Sequence, residues 1–117
     1  DTLAFLFANG AYMSVHTAEP AARSDNEASG GGYRRLKLEF EKPSHRATEN
    51  INEILFDEMN GATYTHFALW DAASKGNMKW TGTLRERDGT IGLTVKQGDA
   101  IRIKPRYVVV NLASREA

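Results

Sequence analysis

The chain reads as an all-β domain, and three observations predict it. Tyr64 to Leu84 forms two arms crowded with Thr, Tyr, Phe and Trp around a polar turn at Asp71–Asn77; these residue types suit a pleated, half-buried surface. Apolar and polar residues alternate along several other stretches, the period of a strand with one buried face. Turn residues punctuate those stretches at short intervals, giving about seven or eight short strands, the pattern of an antiparallel β-sandwich, jelly-roll-like or closed as a small barrel.

Each element follows in order. Leu3–Phe7 is apolar without alternation; it fits a short N-terminal helix or a buried strand. Asn9–Gly10 marks a turn. From Ala11 to Thr17 the residues alternate, with Met13 and Val15 on the predicted core side. Residues 18–32 read as a long loop rich in Ser, Asn and Gly, and long loops in compact domains are often functional. Tyr33–Glu41 sets Leu36, Leu38 and Phe40 against Arg35, Lys37, Glu39 and Glu41, a strand with one wet face. Asn50–Met59 fits either a helical turn or two, or a strand at Ile51–Phe56. Beyond the hairpin, Ile91–Val95 and Ile101–Ile103 alternate, and Pro105 interrupts. Tyr107–Leu112 is the last strand; its run Val108 to Val110 predicts burial on both faces. Residues 113–117 form a loose tail.

The 117 residues make one domain, 1–117, with no linker to divide it. Hydrophobic residues make up 41% of the chain, enough for a core. With no cysteine there is neither a disulfide framework nor a Cys-based zinc site. Lys plus Arg equals Asp plus Glu at 15 each, a balance that argues against general nucleic-acid binding. No apolar run is long enough to span a bilayer as a helix, and Leu3–Phe7 lacks the basic flank of a signal peptide. The first residue is Asp1 rather than Met, which points to residues removed or omitted before it.

The constellations that carry chemistry are sparse. The three histidines, His16, His45 and His66, lack ligand spacing; His16 and His66 lie in predicted strands and are candidates to be neighbours. Ser29 to Tyr33 has three glycines but no Gly-Lys-Thr and no following helix, so it reads as a flexible strand entry rather than a phosphate cradle. Asp71, Asp88 and Asp99 sit singly in turns, as turn formers rather than calcium ligands. Glu39 and Glu41 share a solvated face with Arg35 and Lys37, which disfavours a glycosidase pair. There is no Gly-x-Ser-x-Gly elbow and no Cys nucleophile. The expectation is a chain that is not an enzyme, with no catalytic, metal or cofactor-binding residues and no cofactor.

Two features suit contact instead. With a pivot near Ser74, Trp70 faces Met78 and Trp80 faces Ala68, which places both indoles on one sheet face, as core, as an interface or as a sugar platform. Arg102, Lys104 and Arg106 share one strand face and suit a DNA patch or salt bridges to a neighbouring subunit; the neutral total favours the second.

The order of these pieces resembles a family of small bacteriophage virion proteins, the tail-fibre and head-decoration group. The similar stretches are Ala11-Tyr-Met-Ser-Val-His-Thr-Ala-Glu-Pro20, Ser29-Gly-Gly-Gly-Tyr-Arg-Arg35, the hairpin from Thr65 through Gly76–Asn77 to Leu84, and Gly98-Asp-Ala-Ile-Arg-Ile103. The resemblance covers about residues 11–112. It implies a virion structural protein assembled in the host bacterial cytoplasm, acting in the tail, fibre or capsid surface by protein–protein contacts with itself and other virion proteins. The alternative is a carbohydrate- or receptor-binding β module with a glycan receptor, resting on Trp70, Trp80, Tyr64 and Tyr12. The candidate interface residues are Leu3, Phe5, Phe7, Tyr33, Trp70, Trp80, Arg102 and Arg106, with residues 3–7 and the loop 18–32 as the foremost docking segments.

Overall fold

The computed structural model describes residues 2–20 and 26–111. The apolar start forms helix α1, Thr2–Asn9, with Leu3 and Leu6 buried three residues apart. Gly10 ends it: its N–H donates to the Leu6 carbonyl at 2.8 Å and its φ is +69°, the left-handed closure that glycine adopts without strain. A Cβ there would meet the Leu38 carbonyl oxygen at 2.6 Å, so helix end and sheet edge both require glycine.

The strands are β1 Ala11–His16, β2 Leu36–Leu38, β3 Ala47–Glu49, β4 Ile54–Phe56, β5 Ala62–Tyr64, β6 His66–Trp70, β7 Met78–Thr83, β8 Leu93–Val95, β9 Ile101–Ile103 and β10 Val109–Asn111. One antiparallel sheet runs in the order β2-β1-β6-β7, and three antiparallel pairs, β10-β3, β4-β9 and β5-β8, complete the architecture. All contribute to one core that includes Met13, Val15, Leu38, Phe56, Leu69, Ile103 and Val110. The all-β class and antiparallel sheets are as the alternation predicts, and the helix option at 3–7 is realised; the sheets do not close into a barrel.

Ten described strands exceed the predicted number because Ala47–Glu49, which no alternation marks, pairs with β10 and because the chain changes partners mid-stretch. Tyr64 belongs to β5, paired with β8, whereas His66 begins β6, paired with β1 and β7; Thr65 is the crossing point. Within 50–59 the strand alternative holds, shortened to Ile54–Phe56. The last strand corrects its prediction. Val108 and Val110 are buried while Val109 is 50% exposed; among the described residues β10 pairs with β3 and turns one face outward. Part of the loop 18–32 is docked: Ala28 N–H donates to the Val15 carbonyl at 2.9 Å, and Thr17 N–H to the Asn26 carbonyl at 3.0 Å. Its residues 21–25, and the tail 113–117, lie outside the described residues.

Candidate interaction surfaces

The non-core face of the main sheet carries a polar cluster that alternation alone does not show. Ser14 and His16, opposite in direction to Met13 and Val15, are also fully buried. Trp70 Nε1–H donates to Ser14 Oγ at 2.7 Å, and Ser14 Oγ lies 2.6 Å from His16 Nε2. The Ser14 hydroxyl thus joins the indole and the imidazole, and both buried polar side chains have a partner.

Arg35 seals this corner. Its guanidinium lies 4.0 Å from the Trp70 ring centroid, donates to both Glu27 carboxylate oxygens at 3.1 Å and reaches the carbonyls of Lys75 at 2.8 Å and Ala72 at 3.3 Å. The predicted wet face of its strand is thus corrected at Arg35, which is only 8% exposed: stacking, a carboxylate and two carbonyls replace its water. Tyr33 donates to Glu27 at 2.6 Å and stacks on Phe56 with centroids 5.9 Å apart. Burial first, then the hydrogen bond to Glu27 and its negative charge, push the Tyr33 phenol well above its ordinary range.

The candidate interface residues separate on this frame. Leu3 and Trp70 are buried packing residues and offer no docking surface. Phe7 is 50% exposed; Phe5 packs on the core with Lys79 Nζ 4.9 Å from its ring centroid. Tyr33 is half-buried in the Arg35 corner. The shared-face prediction for the two indoles is corrected by a bulge between Leu69 and Trp70 in the β6–β7 register. Trp70 does face Met78, but Trp80 pairs with Leu69, and opposed neighbours put the two rings on opposite faces. Tyr64 is buried and Tyr12 lies beside Lys37, so these rings do not form one sugar groove with Trp70 and Trp80.

The basic stripe is broken too. Arg102 lies 3.7 Å from Glu53. Arg106 sits past the strand with φ +70° and pairs with Glu41 and Glu49 of its own chain; hydrogen bonding to Glu49 and the charge of that group, then of Glu41, raise its pKa. His16 and His66 are direct cross-strand partners. Among the described residues no three His, Asp or Glu side chains gather as a metal site. The three aspartates act as turn formers: Asp71 accepts from the Asn77 N–H at 2.7 Å, Asp88 from Thr90 at 2.9 Å and Asp99 from Lys96 at 3.3 Å. The glycine run is no flexible entry. A Cβ on Gly31 would stand 2.2 Å from the Glu58 carbonyl oxygen, and Gly32 N–H donates to that oxygen at 3.2 Å.

Two features had no sequence signal. Asn50 is fully buried; its amide donates to the Asn52 and Lys104 carbonyls, each at 2.9 Å, and its carbonyl oxygen accepts from Val108 N–H at 2.8 Å. His45 and Arg46, both at positive φ, form a two-residue turn closed by reciprocal bonds of Ser44 and Ala47; neither is the glycine or asparagine that announces such a turn.

One concave surface lies between β7 and β10, an open groove of about 540 Å³ bordered by Trp80, Thr81, Thr83, Arg85, Tyr107 and Asn111 among others. Among the described residues β7 is the last strand of its sheet. Leu84 N–H bonds to the Thr65 carbonyl, so by the two-residue period the backbone groups of Thr81 and Thr83 turn outward, away from β6. Large apolar side chains stand exposed elsewhere, among them Ile51, Leu55 and Ile91.

No curated protein sequence matches the chain. A family model described as Podophage GP4 fiber I protein gp80 matches residues 3–111, which spans every described strand.

Proposed function

We propose that this chain, which belongs to the family of Podophage GP4 fiber I protein gp80 and is thereby a phage fibre structural protein and virion component, works without catalysis, through contacts with copies of itself and with neighbouring virion proteins. Its place is the fibre rather than the capsid surface, and it is assembled in the host cytoplasm. The observation that carries this reading is where the polar groups go. His16, Ser14, Arg35 and Asn50 are each held in hydrogen bonds that tie strands and loops together, while Phe7, Ile51, Leu55, Ile91 and Val109 stand 44–51% exposed. Buried polar networks of this kind specify a rigid fold; exposed apolar side chains suit burial against repeated neighbours, where modest contacts gain avidity. Light scattering across a concentration series tests it: the expected result is mass growth in multiples of the chain, and a strict monomer at millimolar concentration contradicts it.

A further inference from the structure

We propose, resting on the self-assembly proposed above, that the depression between β2 and β4, together with Leu55 beside it, is a twofold contact for a second copy of this chain. The frame is two segments of equal length, 32–39 and 51–58. They are joined at both ends: Ile51 N–H donates to the Glu39 carbonyl at 2.9 Å, and Gly32 N–H to the Glu58 carbonyl at 3.2 Å. Between those ends β2 and β4 belong to different antiparallel groups. The Asn52 carboxamide takes up the β2 edge instead. Its Oδ1 accepts from the Glu39 N–H at 2.7 Å, and its Nδ2–H donates to the Lys37 carbonyl at 3.1 Å. A depression of about 360 Å³ is left, lined among others by Arg34, Leu36, Leu55, Phe56, Asp57 and Glu58.

Shape and charge together commit the occupant to a copy of the same chain. Leu55 is 44% exposed and stands at the depression it helps to line. A knob beside a hollow is self-complementary about a twofold axis: the leucine of each copy enters the hollow of the other, against Leu36 and Phe56. The charges divide the same way. Towards β9, Leu55 is flanked by Arg102, its cross-strand partner, and by Glu53, 3.7 Å from Arg102. Around the depression stand Arg34, Asp57 and Glu58, all exposed. The twofold contact lays the first group of one copy on the second group of the other, with Arg102 against Asp57 and Glu58, and Glu53 against Arg34. The pair of Arg102 and Glu53 is itself exposed, so little holds either side chain to its own copy.

Light scattering and sedimentation of the full chain test this, with circular dichroism confirming that each variant folds. Leu55→Asp should weaken self-association about tenfold or more, and the conservative Leu55→Met should retain it. Arg102→Glu sets an acid against Asp57 and Glu58 and should weaken association. So should Asp57→Asn combined with Glu58→Lys, which sets a cation against Arg102; the asparagine keeps the Oδ1 acceptor of the residue 58 N–H. An equal mixture of these two charge variants should associate again, because both cross-copy contacts then join opposite charges. Association unchanged by Leu55→Asp, or no recovery in the mixture, overturns this surface while the self-assembly reading stands. A strict monomer at millimolar concentration overturns both.

Discussion

Asn50 shows how much one polar side chain can organise. Its amide fixes the exits of β3, β9 and the approach to β10 at once. Asn50→Ala removes three hydrogen bonds and strands buried backbone groups; a loss of about 3 kcal/mol is expected in chemical denaturation, since each buried orphan costs about 1–3 kcal/mol. Arg35→Ala removes the cation that pairs with Glu27, which keeps the Tyr33 hydroxyl, strips the guanidinium from the Trp70 ring and releases the carbonyls of Ala72 and Lys75. The measurements are hydrogen exchange, expected to accelerate at 71–77, and Trp70 emission, expected to shift red. Tyr33 gives a pH signature. Its folded phenol keeps its proton beyond the ordinary value of 10.0, whereas the unfolded phenol ionises there. The native state then binds more protons than the unfolded one, so this contribution is whole below about pH 10 and falls above it by up to about 1.4 kcal/mol per pH unit. Tyr33→Phe should flatten that alkaline limb of the stability profile; an unchanged limb contradicts the assignment.

Elements were legible where one face is wet and the other dry. Met13 and Val15, Leu36 and Leu38, and Ile101 and Ile103 all turn inward as their alternation predicts. The sequence reading failed where partners come from far along the chain. Arg35 looks solvated until the 71–75 turn and Glu27 close over it, and the β6–β7 bulge, invisible in composition, reverses Trp80. The His45–Arg46 turn was hidden because its residues are not those the conformation prefers. Replacing the pair with Asn-Gly should therefore raise the melting temperature, by the equivalent of about 1 kcal/mol; no rise in a thermal melt would mean that the side chains there contribute more than the backbone costs. Among the candidate surface residues Phe7 is exposed and Trp80 half-buried whereas Trp70 and Leu3 are buried; the sequence could not separate them, because exposure depends on which elements fold across each ring.

As a whole molecule, the chain combines small antiparallel sheets around one core with a surface that, within the described residues, keeps several apolar side chains exposed. A fibre component needs such rigidity and such surfaces, and family membership places the chain in the virion. The most direct measurement is cryo-electron microscopy of intact particles carrying a tagged copy. The account predicts fibre density that this fold fits in repeated copies, with exposed apolar side chains such as Ile51, Leu55 or Val109 at the contacts. Particles whose fibres lack the tag, or copies that touch no neighbour through those side chains, would contradict it.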